Sequence, residues 1–325
     1  MATNSLYQPK PSLLTSYRHE LFKGTKHKFY AFVVFIPPVL TLLIIFLQFL
    51  VKIFGKVPPG VPNRLNPTAV LYGLGDKGTF AEASSTILVG LGGFYGLLLI
   101  IAATLTVANE YRWNTIKMLA TRQPVRANLV LSKCLFALTL AAAICLSFIV
   151  SWFIYGLFLK YFYSEPFGFA DYDLSNIGNG LRYITIAYLH NFILALIAIA
   201  MTYRFKTIVA GLIFYVIYNA VDGTLNTFGT AFANTGTAEL PDWIRPLAEV
   251  LRFIQPYLLS GSINRIQMQE EALSLNFNNF NYQVGKNTQI VVSNPVWLAW
   301  LMLAIYTALF TLAAIWVLNS RDITD

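Results

Sequence analysis

The sequence predicts an all-α integral membrane protein with six transmembrane helices. Of its 325 residues, 56% are hydrophobic and only 12% are charged, a composition far from that of a soluble domain. Five segments without Asp, Glu, Lys or Arg are long enough to cross a bilayer core, which requires about 20 apolar residues in a helix. A sixth segment, 207–221, is shorter and lies between Lys206 and Asp222. The lipid bilayer is therefore the expected solvent of most of the chain.

The predicted organisation has two parts. Residues 1–28 form a cytoplasmic N-terminal amphipathic segment, and residues 29–325 form one six-span transmembrane domain. The predicted spans lie at about 29–53, 84–108, 130–159, 182–203, 206–222 and 296–318. A Pro- and Gly-rich outer loop at 55–83 follows the first span.

A long outer segment, 223–294, precedes the last predicted span. Its middle has apolar residues at helical spacing around Pro246 and Pro256, which is typical of short, proline-broken helices in the outer leaflet. These residues are Ile244, Leu247, Leu251, Ile254 and Leu258. Three roles remain open for this segment: a gate that faces the substrate, a surface for an accessory protein, and a cap that covers the bundle.

The distribution of basic residues predicts the orientation. Lys and Arg near the ends of spans are retained in the cytoplasm. With the N-terminus inside, 13 of the 23 Lys and Arg residues lie on the cytoplasmic side. The net charge is then +9 inside and −1 outside. This asymmetry predicts that both termini are cytoplasmic.

The N-terminal segment has the pattern of a basic amphipathic helix on the inner membrane surface. Leu14, Tyr17 and Leu21 follow one another at i, i+3 and i+7. Basic side chains surround this apolar stripe, as in helices that lie on anionic leaflets. They are Arg18, Lys23, Lys26 and Lys28.

The sequence predicts no catalytic residue, no cofactor site and no metal site. Cys134 and Cys145 lie in one predicted helix, where their spacing excludes a disulfide. The three histidines are too far apart in sequence for metal-ligand spacing. The phosphate loop G-x-x-x-x-G-K-[ST] is absent, so any ATP hydrolysis is expected in a partner protein. A G-x-G-x-x-G match at 73–78 lies on the predicted outer face without a preceding strand, so we do not interpret it as a nucleotide site.

Small and polar residues within the predicted spans mark helix contacts or a route across the membrane. Gly92 and Gly96 form a small-xxx-small pair, which allows close helix packing or lines a passage. Polar side chains in spans serve hydrogen bonds between helices or line a substrate route. They are Gln48, His190, Asn191, Asn219 and Asp222. The candidates for a translocation path are Gly92, Gly96, Asn219 and Asp222.

The most specific stretch is the cytoplasmic connection 109–126 between the second and third spans. It is short, basic and amphipathic. Thr115 is the predicted N-cap of a short helix, which Pro124 ends. Ile116, Leu119 and Ala120 form its apolar stripe. Because such a rigid helix is connected to a span at each end, a force on the helix would move both spans.

This connection resembles the corresponding segment of the permease subunits of type-2 ABC exporters. The family pattern is Glu, then Gly-Thr, an apolar pair, Thr-x-Pro, and Arg and Lys before the next span. The matching residues are, in order, Glu110, Thr115, Ile116, Leu119, Thr121, Pro124, Arg126 and Lys133. The sequence departs at Asn114, where the family has Gly, and by an extra residue between Thr121 and Pro124. Asn tolerates the left-handed backbone conformation better than most residues, so the first departure is mild.

The resemblance implies an export permease without ATPase activity of its own. It implies a dimer of this chain or of close homologues, bound to two cytoplasmic ABC ATPase subunits that hold ATP and Mg. The second and fifth spans would line the route between permease subunits, and the complex would lie in the plasma membrane of a bacterium, in contact with lipid and not with nucleic acid. The expected ATPase-coupling residues are Glu110, Arg112, Trp113, Thr115, Lys117, Arg122, Pro124 and Arg126. Arg126 is expected near lipid phosphates.

Two other function classes stay open. A gradient-driven carrier or channel would need no ATPase, and an acidic relay across the membrane or discontinuous polar spans would favour it. A membrane-embedded enzyme would need converging His, Asp, Glu or Ser side chains. The cargo of an exporter is also open among lipids, peptides, drugs and polysaccharides, although the apolar route favours an amphipathic or hydrophobic one.

Overall fold

A computed structural model describes residues 12–54, 80–122, 125–162, 174–234, 241–267 and 296–320. Within these ranges the chain forms α-helices, one short 3-10 turn and no strand. The helices are α1 (Leu13–Lys26), α2 (Lys28–Phe54), α3 (Phe80–Arg112), α4 (Thr115–Arg122), α5 (Arg126–Phe162), α6 (Leu174–Phe205), α7 (Ile208–Asn234), α8 (Arg245–Ile254), α9 (Leu259–Gln267) and α10 (Val296–Asn319). The predicted all-α fold is confirmed for the described ranges.

Five described helices are long and apolar enough to cross a membrane. They are the segments Phe94–Arg112 of α3, Arg126–Ser151 of α5, Thr185–Phe205 of α6, Ile208–Phe232 of α7 and Val296–Asn319 of α10. Helices α1 and α2 meet at a bend of 68° and would supply a sixth crossing if they are counted as one broken span. Helix α2 covers the predicted first span. The count of six and the cytoplasmic location of both termini stay predictions.

Helix α6 lies at the centre of the bundle. Every side chain from 192 to 200 is buried, and α6 packs against α3, α5, α7, α9 and α10. A helix that is apolar on all sides belongs in the interior of a helical assembly, because each face then contacts a neighbour. Helices α2 and α1 pack on α5, and α8 packs on α7.

Two prolines in α2 explain how this helix is fixed to α5. Pro38 has no N–H, so the carbonyl of Val34 lacks its usual helical donor. The Ser147 hydroxyl of α5 donates to the Val34 carbonyl oxygen at 2.5 Å. The Thr41 hydroxyl donates to the Pro37 carbonyl at 3.0 Å. The Ser147 hydroxyl therefore satisfies a backbone oxygen that Pro38 leaves without a donor in α2.

Helix α7 extends well beyond its predicted end at residue 222. It runs from Ile208 to Asn234, with Asp222 buried in its interior. The charged residue does not end the helix, because its carboxylate accepts the backbone N–H groups of Leu259 and Ser260 at 3.1 and 2.8 Å. These are the first two residues of α9, whose N–H groups have no partner within that helix. The helix thus continues 12 residues past the predicted end of the fifth span, while the start of the outer segment at residue 223 stays a prediction.

The described part of the outer segment contains the predicted short, proline-broken helices. Helix α8 ends at a 3-10 turn, Gln255–Tyr257, which contains Pro256, and α9 follows. The Gln255 side chain donates to Asn226 Oδ1 of α7 at 3.0 Å, and the Tyr306 hydroxyl of α10 donates to the Tyr257 carbonyl at 3.0 Å. The outer segment is thus bonded to two long helices. The predicted 55–83 loop up to residue 79, including the 73–78 glycine motif, and residues 268–294 lie outside the described residues.

Gly211→Ala is expected to destabilise the bundle. A Cβ at Gly211 would lie 2.8 Å from the Ala198 carbonyl oxygen of α6 and would also collide with the Thr202 hydroxyl. Overpacking of this kind costs about 1–3 kcal/mol. The unfolding midpoint in detergent should therefore fall. Gly223→Ala, in the same helix, is the control, because a Cβ there meets no atom within 4 Å. Equal midpoints for both variants would contradict close α6–α7 packing at Gly211.

Candidate functional site

The predicted connection 109–126 forms the short helix α4 between the ends of α3 and α5. Asn114 joins α3 to α4 with φ of 53°, which is the left-handed conformation that Asn tolerates better than most residues. Thr115 is the first residue of the helix rather than its predicted N-cap. Its hydroxyl donates to the Glu110 carbonyl oxygen at 3.3 Å, so it ties the new helix back to the last turn of α3.

Helix α4 separates a buried face from an exposed one. Ile116 is buried and Leu119 packs against the core, as the predicted apolar stripe requires. The opposite side of the connection exposes two basic and two apolar side chains to solvent, including an indole that is 62% exposed. We call this set the α4 surface: Arg112, Trp113, Lys117 and Met118.

The remaining basic residues of the connection, Arg122 and Arg126, are not part of the α4 surface. The Arg126 guanidinium donates to the Leu318 carbonyl at 3.3 Å, close to the end of α10. A cation at a helix C-terminus stabilises carbonyl groups that have no partner within the helix. Arg126 therefore joins α5 to α10, a contact that the expected lipid-phosphate role did not include. Arg122 is the last residue of α4, with its side chain outside the described part, and Pro124 lies outside the described residues.

Glu110 does not reach the α4 surface. Its carboxylate is buried and forms ion pairs through Oε1 with Lys133 Nζ at 2.7 Å and with Lys23 Nζ at 3.1 Å. Glu20 Oε1 accepts from the same two ammonium groups, at 3.4 Å from Lys133 and 3.2 Å from Lys23. We call these four residues the ion cluster. Its two negative and two positive charges balance.

The ion cluster joins three helices at one end of the bundle. Glu20 and Lys23 come from α1, Glu110 from the last turn of α3, and Lys133 from α5. Lys133 is 0% exposed and also donates to the Thr106 carbonyl at 3.0 Å. A buried ammonium requires paired carboxylates, because its removal from water is costly. Glu110 was expected to contact an ATPase directly, whereas here it fixes the position of α4 from inside the bundle.

Sequence reasoning did not connect the members of this cluster. Glu20 and Lys133 are 113 residues apart, and no local spacing relates them. Two signals were present in the sequence. Lys133 precedes an apolar run directly, and Glu20 shares one helix face with the small residues Ser16 and Gly24, which permit close helix packing. Both signals indicate a buried polar contact rather than a solvated surface.

Helix α1 turns a different face to the bundle from the one predicted. Ser16, Glu20 and Gly24 are its buried residues, and a Cβ on Gly24 would lie 2.5 Å from the Phe136 ring of α5. The expected apolar stripe is divided: Leu21 packs against the core, whereas Leu14 is exposed. Small side chains allow α1 to approach α5 closely enough for Glu20 to reach Lys133.

The environment of Glu20 lowers the pKa of its carboxyl group. Burial alone raises this pKa, since it penalises the charged form. The Lys133 and Lys23 ammonium groups favour the carboxylate more strongly, through charge and hydrogen bonds, and the pKa falls below its usual 4.5. Glu20 is therefore ionised at neutral pH.

The four path candidates do not share one surface. Gly96 is buried, and a Cβ there would lie 2.5 Å from Asn191 Oδ1, so it serves close packing of α3 on α6. Asp222 is buried and bonds α9. Asn219 is exposed on α7, the least buried of the five candidate spans. Gly92 lies in α3, in a part whose side-chain surroundings are not described.

Within the described ranges, no group of three or more His, Cys, Asp or Glu side chains is placed to hold a metal ion. Cys134 and Cys145 are both buried, free thiols in α5. Residues 70–232 match the model of a family described as Protein of unknown function (DUF2705). This match spans half of the chain and includes α3 to α7. No curated protein matches the chain.

Breaking the ion cluster should destabilise the protein far more than breaking an exposed ion pair. Glu110→Gln leaves Lys133 buried with only Glu20 nearby, and loss of one buried partner costs about 3–5 kcal/mol. The control is Asp242→Asn. The Asp242 side chain is 91% exposed and forms an ion pair with Arg245 at 2.9 Å. Loss of this exposed pair should cost under about 1 kcal/mol. Unfolding midpoints in detergent measure both changes. Similar losses in the two variants would contradict a structural role for the cluster.

The lowered pKa of Glu20 predicts loss of stability in acid. A carboxyl group whose folded-state pKa lies below its unfolded value stabilises the protein above that unfolded value, and this contribution disappears as the pH falls through the folded-state pKa. The unfolding midpoint should therefore decrease below about pH 4.5. In Glu20→Gln the decrease should be smaller, since the titrating group is absent. Parallel midpoint-against-pH curves for wild type and Glu20→Gln would contradict this assignment.

Proposed function

The chain belongs to this family of unknown function, and we propose that it is the membrane subunit of an ABC exporter that works with a separate cytoplasmic ATPase. One observation carries the proposal. The α4 surface exposes two cations, an indole and a thioether on a short helix and the turn before it, in a connection that joins two long apolar helices. Exposed aromatic and Arg side chains of this kind are typical of the centres of protein interfaces.

The ion cluster explains how a force on α4 would reach the membrane. Glu110 precedes α4 by one turn and is bonded through Lys133 to α5, which follows α4. Lys23 and Glu20 extend the same bonds to α1. Helices α1, α3 and α5 would then respond together when an ATPase binds ATP and displaces α4. This coordinated movement is what alternating access requires of a coupling helix.

The proposed roles follow from the placement of each residue. Arg112, Trp113 and Lys117 contact the ATPase through the α4 surface, and Arg122 extends this basic region. Thr115 begins the short helix, and the role of Pro124 as its end stays the prediction made from the sequence. Glu110 and Arg126 act from inside, since they bond to α5 and α10 respectively. They position the coupling helix without touching the partner.

A second permease subunit would cover the exposed face of α7. Asn219 exposes a carboxamide on a helix that is apolar enough to cross the membrane, and an unpaired amide in hydrocarbon is costly. A second subunit or a hydrated route would remove this cost. The route would lie between two permease subunits, with amphipathic or hydrophobic molecules as its cargo.

The test is to purify the tagged full-length chain from its native membrane in mild detergent, with identification of copurifying proteins and an ATPase assay. The proposal expects a stoichiometric phosphate-loop ATPase. Arg112→Ala combined with Trp113→Ala should reduce recovered ATPase or transport-linked hydrolysis at least tenfold, because the interface loses its central indole and guanidinium.

The matched control removes the same two residue types elsewhere. Trp243 is 81% exposed and Arg252 is exposed on α8, so Trp243→Ala with Arg252→Ala should leave ATPase recovery unchanged. Recovery of the chain alone, inactive with ATP, would contradict the exporter proposal and favour a gradient-driven carrier or channel. Full ATPase assembly and transport in the Arg112→Ala, Trp113→Ala variant would contradict the role of α4.

A further inference from the structure

Helix α1 exposes a regular strip of alternating apolar and cationic side chains. Leu14, Arg18, Phe22 and Lys26 are all exposed and follow one another at intervals of four residues. At about 100° per residue these four side chains span roughly 120° of the helix surface. The Lys26 ammonium lies 5.6 Å from the centre of the Phe22 ring, a cation–π distance. We call these four residues the α1 strip.

The α1 strip faces away from the bundle. The buried residues Ser16, Glu20 and Gly24 lie on the opposite side of the helix and pack towards α5. On a helical wheel the centres of the two faces are about 180° apart. The strip therefore lies at the outer edge of the helix assembly.

The junction with α2 places the strip at the boundary of the apolar surface. Helix α2 starts one residue after α1 and turns by 68°. Phe32, Phe35 and Val39 are exposed on α2 and form the start of its apolar outer surface. A helix that has charged and apolar side chains on one exposed face and bends away from the start of an apolar helix is suited to the membrane surface.

We propose that the α1 strip binds anionic phospholipid at this surface. Arg18 and Lys26 are spaced to contact headgroup phosphates, while Leu14 and Phe22 enter the boundary with the acyl chains. The chemistry fits an interfacial helix, in which cations and apolar side chains share one face and anionic headgroups supply the opposite charge. A soluble acidic protein would match the cations but not the exposed phenyl ring beside the apolar surface of α2.

Lipid binding at this strip would act on the ion cluster. Glu20 lies on the reverse side of the same helix and is bonded to Lys133, while Lys23 bonds to Glu110. Helix α1 is thus held between the headgroups on one side and α5 on the other. The lipid composition of the leaflet would therefore influence the position of α1 relative to the start of α4. This inference does not depend on the identity of any ATPase.

The test uses the purified full-length chain in uncharged detergent and fluorescent short-chain phosphatidylglycerol or phosphatidylcholine, with binding followed by anisotropy. Wild type should prefer phosphatidylglycerol. The Arg18→Gln, Lys26→Gln variant should bind phosphatidylglycerol about 25-fold more weakly, because each cation near anionic headgroups contributes about fivefold to binding. Its binding of phosphatidylcholine should be unchanged. Phe22→Ser should weaken the binding of both lipids. These side chains are exposed, so the unfolding midpoints of the variants should equal that of wild type. Equal midpoints would exclude misfolding as the cause of weaker binding.

The matched control is Arg204→Gln with Lys206→Gln, which removes the same charge from exposed residues in the last turn of α6 and in the turn to α7. The Arg204→Gln, Lys206→Gln variant should retain the preference for phosphatidylglycerol. Unchanged phosphatidylglycerol binding in the Arg18→Gln, Lys26→Gln variant would overturn the proposal, and so would an equal loss in the control, which would indicate a general charge effect. Dissociation of an oligomer by Leu14→Ser with Phe22→Ser, without any change in lipid binding, would also overturn it, because the strip would then contact a second copy of the chain.

Discussion

The bundle depends on the burial of one ammonium group. Lys133 has no exposed surface, and its charge is tolerable only because Glu110 and Glu20 reach it from α3 and α1. This requirement fixes the place where α3 ends and where α1 lies against α5. It also explains why α1 has Ser16 and Gly24 on its inner face, where larger side chains would keep the carboxylate of Glu20 away from the ammonium.

Helix type and the broad positions of the spans could be predicted from the sequence, because apolar length is a local property. Asn114 could also be assigned from its intrinsic tolerance of the left-handed conformation. The end of α7 could not. A buried Asp inside a span resembles a boundary until its partners are known, and the N–H groups that bond Asp222 lie 37 and 38 residues later in the chain.

In the candidate site, too, local features could be predicted from the sequence and long-range contacts could not. The buried stripe of α4 follows from helical periodicity, so Ile116 and Leu119 could be assigned to its inner face from sequence alone. Glu110 belongs to the same motif, yet its direction depends on Lys133 and Lys23, which come from other helices. A motif specifies which residues share a segment. Only the long-range charge pairing specifies which of them face a partner and which face the interior.

The bond between Asp222 and α9 has a consequence for altering this protein. The outer segment supplies the only described hydrogen-bond donors of a carboxylate that is buried in α7, so a shortened chain that lacks α9 would leave a charge without partners inside an apolar helix. The effect of a truncation in this region therefore depends on the side chain at residue 222. Replacement of Asp222 by an apolar residue of similar size would have to accompany the deletion, because otherwise the effects of the lost segment and of the stranded charge could not be distinguished.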